Sequence, residues 1–195
     1  MPATPTLVYL RHGETDWNVE GRLQGQRDVP INAKGRGQAH HNGEIIARKI
    51  PEALGYDFVA SPLWRSCETM QIARRAMGLD PEAYSTDDRL KELSFGDWEG
   101  FTYRDMDRQE PGVIANREAN KWTFQPPGGE SYEMLLKRVE GWLASLTRPT
   151  VAVAHGGVGR VLRVHLLGLA PDATVVEDFP HDRVFLWRDG KGDWL

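Results

Sequence analysis

Cysteine is nearly missing from this chain. Among 195 residues only Cys67 carries a thiol, so no intrachain disulfide and no multi-cysteine zinc or iron–sulfur site can form. No segment approaches the ~20 consecutive apolar residues of a membrane span. Met1 to Thr6 offers neither the basic residues nor the apolar run of a signal peptide. An excess of positive charge is also lacking: Lys plus Arg is 24 against 28 Asp plus Glu, a formal net charge of -4. That balance argues against a nucleic-acid coat or a polybasic membrane patch, but it leaves room for a small basic pocket. Internal repeats and low-complexity stretches are absent, and Gly 20 and Pro 12 are scattered rather than gathered into a linker. The expectation is a soluble, cytoplasmic protein with no nucleic-acid and no membrane partner. What is present, 40% hydrophobic and 27% charged residues, suits one globular domain over 1–195.

Strand-length apolar runs alternate with amphipathic stretches of helical length, which predicts an α/β fold: a three-layer α/β/α sandwich on a mostly parallel sheet. Leu7 to Leu10 reads as a buried strand, followed by a long polar loop from Arg11 to Ile31. Asn32 suits the cap of a helix running to about Lys49. Tyr56 to Ala60 is a second strand, with Ser61 as N-cap and Pro62 as first residue of a helix whose Leu63, Cys67, Met70 and Met77 form one apolar stripe. A short strand at Tyr84 to Thr86 follows. From about 93 to 127, glycines and prolines interrupt any periodicity, and the segment reads as a cap of loops and short helices. Ser131 then opens a helix carrying Leu135, Val139, Trp142, Leu143 and Leu146 on one face. Thr150 to Ala154 is a central strand, Val158, Val161, Leu162 and Leu166 mark another helix, and Arg183 to Trp187 is the last strand.

Polar groups cluster just beyond three of these strands: Arg11, His12 and Gly13 after the first, Arg65 after the second, and His155, Gly156 and Gly157 after the fourth. Open α/β sheets bind ligands beyond the carboxyl ends of their strands, so these residues can converge. Two of the segments also open helices, whose free N–H groups favour an anion. Any one of these arginines, taken alone, is most simply a solvated surface group, and a lone histidine a structural one. Their joint placement points to an oxyanion pocket, and the forked, permanently charged guanidinium suits a phosphoryl group.

The string Arg11-His12-Gly13-Glu14-Thr15 resembles the signature of the histidine phosphatase superfamily, which includes the cofactor-dependent phosphoglycerate mutases. Asn18 falls where that family's RHGxxxxN pattern has asparagine, and Ser61-Pro62-Leu63-Trp64-Arg65 is similar to its SxLxR segment. Ala154-His155-Gly156 resembles its second histidine motif. The run from Glu92 to Gly100 is similar to its acid-bearing segment, and Pro127-Gly128-Gly129-Glu130-Ser131 to a helix start seen in many members.

The resemblance implies that His12 attacks phosphorus and becomes a phosphohistidine, and that Arg11, Arg65 and His155 bind the equatorial oxygens. Asn18, Gln24, Gly25 and Gly156 would complete the substrate cradle. Glu92 would protonate the leaving oxygen and then activate water, with Glu14, Asp97 and Glu99 as nearby alternatives. No metal and no cofactor are called for. His40, His41, His165 and His181 show no metal-ligand spacing, and Cys67 lacks the arginine six positions on that a cysteine phosphatase needs, because Ala73 stands there. On its helical stripe Cys67 reads instead as a core thiol.

Hydrolase and mutase share fold and motif. Between Leu93 and Pro127 the chain has four basic residues and six acidic ones, Leu93 follows Glu92 where mutases carry a basic residue, and Glu118 follows Arg117 where they pair arginines. A metal-independent phosphomonoesterase acting on a small phosphorylated substrate is therefore expected. Mutase-type transfer is the alternative, and a catalytically silent binding domain the third reading. Phe95, Trp98, Phe101, Tyr103, Trp122 and Phe124 either contact an apolar part of the substrate or form the cap's own core.

Overall fold

The structure, a computed structural model, describes residues 4–195. Its centre is a six-stranded sheet in the order β3-β2-β4-β1-β5-β6, made of β1 (Leu7–Arg11), β2 (Asp57–Ala60), β3 (Ser85–Thr86), β4 (Thr150–Ala154), β5 (Val184–Arg188) and β6 (Lys191–Trp194). The pairings β3/β2, β2/β4 and β4/β1 are parallel, and β5 and β6 add antiparallel at one side. β6 has no counterpart in the sequence reading: Lys191 to Trp194 alternates half-buried and exposed residues and lacks an apolar run.

Strand alternation builds two cores, because successive side chains point to opposite faces. Leu7 and Tyr9 of β1 join Ala152 and Ala154 of β4 on one face, while Val8 and Leu10 join Val151 and Val153 on the other. The first face is covered by α6 (Tyr132–Leu143) and α7 (Gly156–Leu167) through Leu135, Val139, Trp142, Val158, Val161 and Leu162. The second is covered by α2 (Ala33–Lys49) and α3 (Trp64–Ala76) through Ile45, Ile46, Met70 and Ala73. Burying each such side chain contributes about 1.5–3 kcal/mol for the larger apolar types. No helix among the described residues is long and apolar enough to cross a membrane.

Four local expectations change. The loop after β1 contains a one-turn helix, α1 (Asp16–Val19), closed by a capping box between Thr15 and Asn18. Helix α3 begins at Trp64, not at Pro62, and its first amide donates to Asp28 Oδ1 at 2.7 Å, so a distant carboxylate caps it and Ser61 is left for another task. Cys67 is only half-buried at the edge of the α3 core face; its thiol donates to Ser61 O at 3.4 Å. Leu146 lies beyond the end of α6 rather than on it.

The segment 93–127 folds into α4 (Tyr103–Gln109), α5 (Val113–Ala119) and connecting turns. Leu23, Trp98, Met106 and Val113 form a small core there, with Phe95, Tyr103 and Phe124 packed against it. Most of the cap aromatics thus stabilise the cap itself, and only Phe95 and Tyr103 also face the cleft below it.

Candidate active site

Parallel pairing of β1 with β4 sets Arg11 opposite Ala154, so the two histidines that follow these strands emerge side by side. The backbone N–H of His12 donates to Ala154 O at 2.9 Å, and the two imidazole centroids are 5.2 Å apart. His12 lines a cleft of ≈ 280 Å³ beneath the cap, and His155 is buried beside it.

His12 is buried and its Nδ1 lies 2.8 Å from Gly13 O. A carbonyl can only accept, so Nδ1 carries the proton and Nε2 is left with a free lone pair. Burial holds the imidazole well below its ordinary pKa, reinforced by the charge of Arg65 and the nearness of His155 and Arg11, and the ring is neutral at pH 7. His155 is held from behind. Tyr9 donates its hydroxyl to His155 O at 2.6 Å and accepts from His155 N at 2.9 Å, and Ser61 Oγ lies 2.8 Å from His155 Nε2. Burial, then Arg65 and Arg138, keep this ring neutral as well.

Arg65 is fully buried at the start of α3 and is gripped by the loop between α1 and α2: its two terminal nitrogens donate to Gly25 O at 2.7 Å and Arg27 O at 2.6 Å. Gly25 has φ +50, and a Cβ there would lie 2.1 Å from Glu99 Oε1, so the turn requires glycine. Glu99 ties this loop to the segment carrying Glu92, with Oε1 accepting from Gln26 N at 2.9 Å and Phe95 N at 3.2 Å. Arg11 donates to Phe179 O at 2.7 Å. Burial lowers both guanidinium pKa values to about 10, which leaves both charged at neutral pH.

Glu92 lines the cleft opposite these cations. Its Oε2 accepts from Gly157 N at 3.1 Å and its Oε1 from Leu93 N at 2.8 Å. A Cβ on Gly157 would fall 2.3 Å from Glu92 Oε1, so the second glycine after His155 admits the carboxylate. The alternative acids are engaged elsewhere: Glu14 bonds Lys34 and Asn32 outside the cleft, and Glu99 serves the loops. Asp97 does not line the cleft.

The remaining sequence candidates converge on the same place with different exposure. Gln24 and Gly25 line the cleft. Asn18 does too, but its Oδ1 is spent on the Thr15 cap, which leaves the amide nitrogen as its remaining polar group. Gly156 sits buried behind the wall, which is formed by Gly157.

Eight buried side-chain polar atoms have no hydrogen-bond partner among the described residues. Of these, Arg11 Nε, Arg65 Nε and Gln24 Oε1 belong to residues that line this cleft, and His155 Nδ1 to the ring beside His12. An orphaned buried polar group costs about 1–3 kcal/mol, and the three nitrogens are donors whose partners could be supplied by a bound anion.

Three side chains that reach the region were not among the residues expected there. His181 stacks edge-on to His12 with centroids 5.5 Å apart and donates from Nδ1 to His12 O at 2.6 Å; burial and Arg11 push its pKa down to about 4. Lys121 and Arg160 line the cleft. The four-residue step from Gly156 to Arg160 on one helix face was the available clue for Arg160. His181 lies in the irregular stretch before β5, where no periodicity guides a reading. Among the described residues no group of three or more His, Cys, Asp or Glu side chains is close enough to hold a metal ion.

A family profile described as the histidine phosphatase superfamily (branch 1) matches residues 7–183. The glucosyl-3-phosphoglycerate phosphatase of Mycolicibacterium vanbaalenii is 35% identical over 179 residues, covering 85% of this chain and 76% of that one. Phosphoglycerate mutase-like protein 4 of Arabidopsis thaliana is 32% identical over 193 residues, covering 96% and 80%. Among solved structures, a mycobacterial glucosyl-3-phosphoglycerate phosphatase in complex with inorganic phosphate superposes with a TM-score of 0.77 at 30% identity, covering 93% of this chain and 88% of that one.

Proposed function

The chain belongs to the histidine phosphatase superfamily, and we propose that it is a phosphomonoesterase that moves a phosphoryl group from a small phosphate ester to His12 and then to water. The observation that carries this reading is the trio of unpartnered nitrogens, Arg11 Nε, Arg65 Nε and His155 Nδ1, gathered beside a neutral His12. The relatives named as phosphatases support the hydrolytic branch.

In the first step the lone pair of His12 Nε2 attacks phosphorus, and the bond to the ester oxygen breaks. Arg11, Arg65 and His155 bind the three equatorial oxygens, where charge resides throughout the transfer. Donation from the Ser61 hydroxyl to His155 Nε2, 2.8 Å away, would place the imidazole proton on Nδ1 for those oxygens to accept. Glu92 supplies the proton that the leaving alkoxide takes up. In the second step Glu92 accepts a proton from water, the hydroxyl attacks phosphorus, and the phosphorus–nitrogen bond breaks to regenerate His12. Asn18 and Gln24 bind the ester's remaining polar groups.

A single domain over 1–195 with its cap at about 93–127, and a cytoplasmic setting, belong to the same proposal. The continuous sheet and the lone Cys67 support them.

The test is phosphate release from p-nitrophenyl phosphate and a panel of small esters with chelator present, beginning with glucosyl-3-phosphoglycerate. Activity lost by about a hundredfold or more in His12→Ala and in Glu92→Gln supports the assignment. Interconversion of phosphoglycerate isomers without phosphate release would make the chain a mutase, and silence in both assays would leave it a binding domain.

A further inference from the structure

We propose that Arg138 of α6, fixed by Glu130, is a positioning residue for the proton transfer: it holds the backbone at Glu92 so that the carboxylate meets the leaving oxygen. This role rests on the reading of Glu92 as the general acid and adds what aims that acid. It also gives a task to the Pro127-Gly128-Gly129-Glu130-Ser131 run, which otherwise has no part in the chemistry.

Neither Arg138 nor Glu130 lines the cleft. Arg138 pairs edge-on with Glu130, Nε to Oε1 and Nη2 to Oε2, both at 2.9 Å. An ordinary surface ion pair would end there and contribute little. Here the rest of the guanidinium is spent on two backbone carbonyls, Nη1 on Arg89 O at 2.7 Å and Nη2 on Glu92 O at 2.9 Å. The two side chains are only 20% and 19% exposed, so these charge-assisted bonds are of the stronger kind. Arg89 returns the contact, donating from its own side chain to Gly141 O of α6 at 2.9 Å. The stretch from Arg89 to Glu92 is therefore fastened along α6 at both ends.

Glu130 extends the grip past the acid. Its Oε2 accepts from Ser94 N at 3.0 Å, and its own N–H donates to Ser94 O at 2.8 Å. Gly129 permits this approach, because a Cβ there would lie 2.6 Å from Ser94 O. Gln26 Nε2 adds a second donor to Glu92 O, at 3.1 Å. The carbonyl of Glu92 is thus held by α6 and its carboxylate by Gly157 N of α7, two helices on the same face of the sheet. The acid takes its position from that packed layer. Misplacing a catalytic group by about 1 Å can cost on the order of a hundredfold. Alignment of the donor matters most for an alkoxide, which needs the proton to leave, and least for p-nitrophenolate.

The experiment compares kcat/KM for the best alkyl ester of the panel above with that for p-nitrophenyl phosphate, in the wild type and in Arg138→Gln, with Glu92→Gln as the reference for a lost acid. Arg138→Gln should lose about tenfold or more on the alkyl ester and about threefold or less on p-nitrophenyl phosphate. Inhibition by inorganic phosphate should be unchanged, since the phosphoryl pocket is intact. The charge of Arg138 also bears on His155, an effect that both esters would share. Equal losses on the two esters, or no loss, overturn the positioning role. Should Arg138→Gln not fold, Gln26→Ala decides: it removes only the other donor to Glu92 O, and the same selective loss, about threefold, is expected. Selectivity in Glu92→Gln without any in the Arg138 or Gln26 variant strikes the positioning role alone. No selectivity in Glu92→Gln, or no hydrolysis of any ester, overturns the reading beneath it and the positioning role with it.

Discussion

His181 gives the sharpest quantitative test of the electrostatics, because it is held half-buried and neutral against the nucleophile's backbone. Its folded pKa is about 4 against an ordinary 6.5. Between those values the unfolded chain binds more protons than the folded one, so stability rises with pH across the window. The contribution is complete above pH 6.5 and is lost as pH falls toward 4. At pH 4.5, linkage over this interval amounts to about 2.5 kcal/mol. His181→Asn removes the titration while keeping a donor near His12 O, at a cost of about 1 kcal/mol at pH 7.5 for the weaker bond. Urea unfolding followed by tryptophan fluorescence at pH 7.5 and pH 4.5 measures both proteins. The wild type should lose about 2.5 kcal/mol more than the variant between the two pH values, reversing their order. Equal losses would refute the claim that His181 is neutral in the fold.

Two further expectations follow from contacts behind the site. Ser61→Ala removes the hydroxyl that fixes the His155 tautomer and should lower kcat by about tenfold or more with a stability loss of about 1–2 kcal/mol; stopped-flow turnover with a parallel melting curve separates the two, and unchanged kcat would sink the tautomer argument. Gly157→Ala places a methyl where Glu92 Oε1 lies and should displace that carboxylate. Its kcat should then drop toward that of Glu92→Gln while p-nitrophenyl phosphate, with its good leaving group, is spared relative to alkyl esters. Equal loss on both substrates would count against Glu92 as the acid.

Much of this site could be read from the chain because its main residues lie next to strands that announce themselves. The charge-free Val-rich run at Thr150 to Ala154 and the short run at Leu7 to Leu10 mark β4 and β1, and His155 and His12 follow directly. Asn32 was legible as a cap for the same local reason. Ser61 was misassigned because a serine before proline at a strand end has the local form of an N-cap; the bond to His155, 94 residues away, leaves no local trace. Net charge misled in a related way. The sum over the cap is negative, yet composition carries no direction, and only the fold turns Arg117 and Lys121 inward. Likewise β6 forms by pairing with β5, where neighbour rather than propensity decides.

The adjacency of β1 and β4 has a mechanical meaning. His12 and His155 are spaced by the hydrogen-bond ladder of the sheet, about 4.8 Å per strand, and cannot part unless the centre of the molecule unfolds. One wall of the cleft is therefore as stiff as the protein itself. Any breathing that admits substrate and frees phosphate must be borne by the opposite wall, by α4, α5 and the turn at Val175 and Val176. Amide exchange should show this split as a slow floor beneath a fast roof, with turnover following the roof.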